Sequence, residues 1–230
     1  MRRAVFIFLL TFFMVSCAND LNQQLVQACK AGNIKRVKEL LERGADINAE
    51  DTKSHFNCLM IACANGNLEL VKELLKNGAD INQKYKGIGD YKILDGHICL
   101  DFAIDGYYYN KSCDSVAEFL VSKGIDITIK KPYGITFLML GAKNGMFKLV
   151  NALLEKGENI NQQTPYGYTP LIFAVLGNKL QMVKLLLSHG ADPNKKIKKG
   201  KYKGYTALKF AEEKGYKEIV SLLKEYGAKK

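Results

Sequence analysis

Glycine returns along this chain at a near-constant interval. Gly44, Gly78, Gly124, Gly157, Gly190 and Gly227 are separated by 34, 46, 33, 33 and 37 residues. Four of them open the same short tail: Gly44-Ala45-Asp46-Ile47-Asn48, Gly78-Ala79-Asp80-Ile81-Asn82, Gly124-Ile125-Asp126-Ile127-Thr128 and Gly190-Ala191-Asp192-Pro193-Asn194. Gly157-Glu158-Asn159-Ile160-Asn161 is a looser copy. A period of this length dictates a stack of small units, each burying its apolar face against the next. That constraint overrides the two domains that a length of 230 residues would otherwise suggest.

The apolar positions recur in the same register. One leucine returns as Leu25, Leu59, Leu100, Leu138, Leu171 and Leu208, and three residues later a small residue stands at Ala28, Ala62, Ala103, Gly141, Ala174 and Ala211. A second group follows at Val37, Val71, Ala117, Val150, Val183 and Val220, then Leu40, Leu74, Leu120, Leu153, Leu186 and Leu223. Spacings of three and four place these side chains on one helical face. The small residue lets neighbouring helices approach, and the glycine ends the second helix in a left-handed conformation. Each unit is therefore expected to be a helix, a tight link such as Asn65-Gly66-Asn67, a second helix and a polar turn.

Gly167-Tyr168-Thr169-Pro170-Leu171, closed by Gly190-Ala191-Asp192, resembles the ankyrin repeat. Gly204-Tyr205-Thr206-Ala207-Leu208 and Gly134-Ile135-Thr136-Phe137-Leu138 are close to the same pattern. The resemblance covers about residues 20–230 and implies an all-α solenoid of about six helix-turn-helix repeats with hairpin-like turns. Their bounds fall near 20–48, 51–83, 84–130, 131–163, 164–197 and 198–230, in a single domain spanning 17–230. The family's histidine after Thr-Pro-Leu is replaced here by Met60, Asp101, Met139, Ile172 and Lys209, and less ideal hydrogen bonding between turns is expected there. A tetratricopeptide array has a similar period but lacks the Gly-Ala-Asp-Ile-Asn tail. The polar residues of the first and last copies read as caps.

Residues 1–16 read as a signal peptide: Met1-Arg2-Arg3 is basic and Ala4 to Val15 is apolar. The run falls short of the roughly 20 residues of a membrane span. Met14-Val15-Ser16-Cys17 resembles a bacterial lipobox, which implies that Cys17 carries fatty acyl chains such as palmitate and anchors the mature protein to a membrane. Ala18 after the cysteine favours the outer membrane. The alternative is an ordinary secreted or periplasmic protein cut after Ala18.

The net charge of +11 suits an acidic protein partner or envelope phosphates, while export argues against nucleic acid. Six cysteines in an exported chain raise the question of disulfides. Cys29 and Cys63 hold equivalent places in adjacent copies, as do Cys58 and Cys99. Equivalent places in stacked helices lie about 10 Å apart, beyond the roughly 7 Å reach of a bridge. Cys29, Cys58, Cys63 and Cys99 are thus expected as small core residues, and Cys113 as an exposed loop thiol.

Insertions in a solenoid gather on loops of one face, often the binding face. They occur here at Lys84–Gly96, which includes Tyr85, at Tyr107-Tyr108-Tyr109-Asn110-Lys111-Ser112, and at the cluster Lys195, Lys196, Lys198, Lys199, Lys201 and Lys203. They read either as a tyrosine patch and basic finger for a partner or as solvated loops. Ankyrin proteins bind through turn tips and the inner face of the first helices. By register this implies protein contacts at Phe56, His97, Tyr133, Ile135, Tyr166, Tyr168, Tyr202, Lys203 and Tyr205. Tyrosine suits such a surface because it joins a rigid apolar ring to a polar end. Tyr168 and Tyr205 could equally brace the adjacent turns.

Little in the sequence points to chemistry. His55, His97 and His189 have no nucleophile in register, and Gly87-Ile88-Gly89 lacks the strand-to-helix context of a phosphate loop. Asp95, His97, Cys99, Asp101 and Asp105 match no metal-ligand spacing. The expectation is a non-enzymatic scaffold for protein–protein interaction, without catalytic residues, metal or cofactor, lipid-anchored in the bacterial envelope. A secreted effector binding host proteins is the alternative.

Overall fold

A computed structural model describes residues 20–87, 89–129 and 131–229. The signal peptide assigned to 1–16 and the lipidation assigned to Cys17 lie outside the described residues. Twelve helices form among them, with only an isolated bridge between Glu50 and Asn57 in place of sheet. The helices come in six pairs, as the periodicity requires. They are α1 (20–30) with α2 (Ile34–Glu42), α3 (Cys58–Ala64) with α4 (Leu68–Lys76), α5 (Cys99–Gly106) with α6 (Cys113–Ser122), α7 (Phe137–Asn144) with α8 (Phe147–Glu155), α9 (Pro170–Leu176) with α10 (Leu180–Ser188), and α11 (Ala207–Lys214) with α12 (Lys217–Glu225). The chain divides into two compact units between Val116 and Ala117. In the first, α3 packs on α4 and α5, and α2 on α4; in the second, α7 packs on α8 and α9, and α9 on α10 and α11.

The recurrent leucines of the first helices, Leu25, Leu59, Leu100, Leu138, Leu171 and Leu208, are all buried, as are Leu40, Leu74, Leu120, Leu153, Leu186 and Leu223 of the second. First helices start under a side-chain cap wherever the sequence supplies one. Asn57 accepts from the Met60 N–H, Thr136 from Met139, Thr169 from Ile172 and Thr206 from Lys209. Ile98 cannot cap α5, and buried Asp101 compensates by accepting the Ile98 N–H at 2.9 Å. The six closing glycines take φ between 79° and 90°. The Asp or Asn two places on folds into an Asx turn: Asn48, Asn82, Thr128, Asn161 and Asn194 each donate their N–H to the side chain two residues back, at 2.8–2.9 Å.

In the second unit the tail asparagines also tie one repeat to the next. Asn161 accepts from the Asp192 N–H at 2.8 Å and donates to the Gly190 carbonyl at 3.2 Å. Asn194 repeats the pattern with Lys229 and Gly227 at 2.8 and 3.2 Å. The Gly-x-Asp-x-Asn tail is thus a hydrogen-bonding device as well as a helix stop.

The cysteine expectations hold for Cys63 and Cys99, which are buried free thiols, and need correction for the other three. Cys29 and Cys58 are joined as a disulfide, with Cα atoms 5.5 Å apart. Equivalent places in adjacent copies are indeed too distant, but these two places are inequivalent. Cys29 lies four residues after its repeat leucine and Cys58 one residue before the next, so they meet where α1 and α3 abut. Cys113 is not an exposed loop thiol: it opens α6, fully buried. Its thiol donates toward the carbonyls of Cys63 and Ala64 at 3.6 and 3.5 Å. Burial pushes that thiol up to about 11.

Candidate functional site

In the second unit the turn tips and first helices gather four of the assigned residues into one apolar groove. Tyr133, Ile135, Tyr166 and Tyr168 line it with Thr164, Phe173 and Leu176, enclosing about 310 Å³. Tyr133 is 72% and Tyr166 42% exposed, and their rings meet edge to face at 6.3 Å. Tyr133 takes a left-handed φ of 62° at the turn tip, which projects its ring outward. Non-glycine residues adopt that region sparingly, and it persists where surrounding structure enforces it.

Tyr168, Tyr202 and Tyr205 converge instead on Phe210 of α11, at ring separations of 6.4, 5.2 and 5.3 Å. Tyr168 also lies 6.0 Å from Phe173. The Tyr205 hydroxyl donates to Glu213 at 2.6 Å. That hydrogen bond, then burial, raises the Tyr205 phenol above its ordinary value. Tyr202 and Tyr205 therefore brace the last copy, while Tyr168 both braces and lines the groove. Lys203 is exposed and borders a separate depression of about 390 Å³ that runs along Tyr205, Lys209 and Glu212.

The lysine insertion is pinned at its base. Ile197 is buried, its N–H donates to Tyr205 O and its carbonyl accepts from Gly204, both at 2.9 Å. The Lys198 N–H donates to Tyr166 O at 2.7 Å. This contact requires Gly167: a Cβ there would stand 2.6 Å from the Lys198 nitrogen. Lys196, Lys198, Lys199 and Lys201 are consequently held in solvent beside the Tyr166 tip.

Phe56 and His97 fall in the first unit, in a second aromatic cluster. Phe56 meets Tyr85 and Phe102 edge to face, each at 5.0 Å. Tyr85 is no exposed partner contact: it is buried, with its hydroxyl donating to Ser54 O at 2.8 Å. The enlarged turn closes on it through Tyr85 N–H to His97 O at 2.7 Å and Gly96 N–H to Tyr85 O at 2.8 Å. The His97 ring lies 6.1 Å from Phe102, and its Nδ1 is 3.9 Å from the Asp105 carboxylate. Phe56, Leu94, Phe102 and Tyr109 wall a groove of about 620 Å³ edged by Asn65, Asp105 and Asn110. Tyr108 and Tyr109 are 82% and 89% exposed, whereas Tyr107 is half-buried under Lys111.

The residues weighed for metal binding disperse. Asp95 accepts the Gly87 N–H, Asp101 caps α5, and Cys99 is buried. Among the described residues no group of three or more His, Cys, Asp or Glu is placed to hold a metal ion. No helix among them is long and apolar enough to cross a membrane. Phe102, Phe173 and Phe210 escaped the sequence reading, although each stands two residues after its repeat leucine. That recurrence is the signal that locates the aromatic floor.

The family model for ankyrin repeats (3 copies) matches residues 6–87, 100–197 and 138–230. Curated proteins give no match. Among solved structures, one chain of the complex between a predatory endopeptidase from Bdellovibrio bacteriovorus and an immunity protein is 28% identical, with a TM-score of 0.69, covering 88% of this chain and 97% of that one. An ankyrin repeat domain from Acinetobacter baumannii is 31% identical with a TM-score of 0.65, over 89% and 98% of the two chains. The human ASB11 ankyrin repeat domain is 26% identical with a TM-score of 0.67, over 89% and 84%.

Proposed function

The chain belongs to the ankyrin-repeat family, a scaffold for protein–protein interaction, and from that premise we propose that it is a non-enzymatic, lipid-anchored binding protein of the bacterial cell envelope. The observation that carries the binding role is the groove walled by exposed Tyr133 and Tyr166 beside a pinned row of lysines. Rigid aromatic rings supply affinity, and the lysines draw an acidic partner. Nothing in this arrangement calls for a cofactor.

Export is supported by two independent features. Met1-Arg2-Arg3, the apolar run and Cys17 fit a lipoprotein leader. The Cys29–Cys58 disulfide fits an oxidising compartment. The sequence around Cys17 favours the outer membrane. Fractionation tests this: processing blocked by globomycin and retention in the membrane fraction are expected. Free release of the mature chain would instead support the secreted effector.

Crosslinking in the native cell tests the binding surface. Tyr133→Ala with Tyr166→Ala is expected to abolish capture of the partner while shifting unfolding by less than about 0.5 kcal/mol, since both rings are exposed. Undiminished capture would remove the groove from the function. The likeness to the endopeptidase–immunity protein complex favours a more specific second reading, in which the partner is itself an exported hydrolase held in check by this scaffold. Identification of a hydrolase in the crosslinked product, and its inhibition by the purified chain, would establish that role.

A further inference from the structure

We infer that Cys63 and Cys99 form a second disulfide, the counterpart of Cys29–Cys58 moved along the array by one repeat. The register carries the inference. Cys29 lies four residues after Leu25, and Cys58 one residue before Leu59. Cys63 lies four residues after Leu59, and Cys99 one residue before Leu100. The two pairs therefore hold the same two places on successive first helices. At these places α1 and α3 bring their Cα atoms to 5.5 Å, inside the range that a disulfide requires.

The surroundings of the second pair agree with this geometry. α3 and α5 pack side by side. Their approach is so close that a Cβ on Gly106 would lie 2.1 Å from the Ala64 carbonyl oxygen. Cys63 and Cys99 are both fully buried and stand as free thiols in this structure. Cys113 is occupied differently, its thiol directed at the carbonyls of Cys63 and Ala64. Of the three thiols in this region, Cys63 and Cys99 are the pair whose places in the repeat match those bonded as Cys29–Cys58.

The reaction joins two thiols into one disulfide and releases two protons and two electrons. An exchangeable disulfide oxidant accepts the electrons. The thiolate of one cysteine attacks the oxidant's disulfide and forms a mixed disulfide; the second thiolate displaces the oxidant's thiol. Burial raises the Cys63 thiol and removes it from solvent, so oxidation takes place before α3 and α5 close on each other. Once closed, the bridge is shielded from reductant. It would fix the spacing of the helices that supply Asn65, Phe102 and Asp105 to the first unit's groove. The inference rests on the export reading only for the oxidant that the cell supplies.

Met60 lies between Cys58 and Cys63, which makes the pairing readable. The full chain is refolded with a mixture of reduced and oxidised glutathione, quenched in acid, alkylated, and cut with trypsin and then cyanogen bromide. Fragment 61–72 is expected linked to fragment 93–111, fragment 54–60 linked to the peptide that ends at Lys30, and Cys113 alkylated. Alkylation of both Cys63 and Cys99 would overturn the inference, as would a link from Cys63 to Cys113. Cys113→Ser must leave the 61–72 to 93–111 link intact. The same mapping on protein trapped in the native cell reads the compartment separately: pairing with glutathione but free thiols in the cell would count against export and not against the geometry.

Discussion

Gly177 stands against Lys143 with no room for a side chain: a Cβ on Gly177 would lie 2.1 Å from the Lys143 carbonyl oxygen. Gly106 has the same relation to Ala64, at the same place in its own repeat. Neither glycine has a positive φ, so its requirement is purely one of space. At Gly190 the situation is reversed, with φ at 87° and nothing within 4 Å.

These two kinds of glycine predict different costs. Gly177→Ala must push α9 away from α7, at about 3 kcal/mol, the upper end of overpacking in a core. Gly190→Ala is strained only in its backbone, at about 1–2 kcal/mol. Urea midpoints at unchanged slope would give the comparison. A neutral Gly177→Ala would mean that the two helices do not approach as described.

Phe210 is buried at the centre of Tyr168, Tyr202 and Tyr205. Phe210→Ala should cost about 3 kcal/mol and loosen all three rings. The near-ultraviolet circular dichroism should fall with it, whereas Tyr133→Ala should leave stability nearly unchanged. If Phe210→Ala keeps both stability and aromatic signal, the last copy is braced by something other than this cluster.

The repeat was legible because its leucines, small residues and glycines each answer a separate physical need at one period. Leu100 and Gly124 are recognisable even where the copy between them is stretched. The tail Asp and Asn could be recognised as a turn, but the Asn161–Asp192 and Asn194–Lys229 ties depend on how repeats stack. The Cys29–Cys58 bridge is not legible from equivalent places in the repeat, because neighbouring helices touch through inequivalent ones. Tyr85 and Cys113 are buried because an insertion in a repeat need not loop outward. Here the enlarged turn folds back over Phe56 and Phe102, and the stretched link is pinned by Asn110 donating to Asn65 O at 2.6 Å.

The lysine row should act on encounter more than on residence. Lys196, Lys198 and Lys199 are exposed beside Tyr166, and none of them is needed for the backbone contacts of Ile197. Lys196→Glu, Lys198→Glu and Lys199→Glu together are expected to slow association with an acidic partner about tenfold near 0.1 M salt. The difference should shrink toward 1 M salt, where charges are screened over about 3 Å. A deficit independent of salt would assign these residues to direct contact instead of steering.

Acid should act on the first unit through Asp51. This carboxylate is buried between the first two repeats, paired with Lys30 and accepting from the Ser54 N–H at 2.8 Å, the Ser54 hydroxyl at 2.9 Å and the Lys53 N–H at 3.1 Å. Burial by itself would raise its pKa; the Lys30 pair and the Ser54 and Lys53 donors outweigh that and hold it well below the ordinary carboxylate range. A depressed native value means that the stabilisation is complete above the unfolded value near 4 and is lost as pH falls through the native one. Asp51→Asn should therefore destabilise the protein by about 2 kcal/mol at pH 7. The gap between variant and parent should stay constant down to about pH 5 and close progressively toward pH 2. Denaturant melts across that range would show it, and a gap that widens in acid would contradict the assigned charge state.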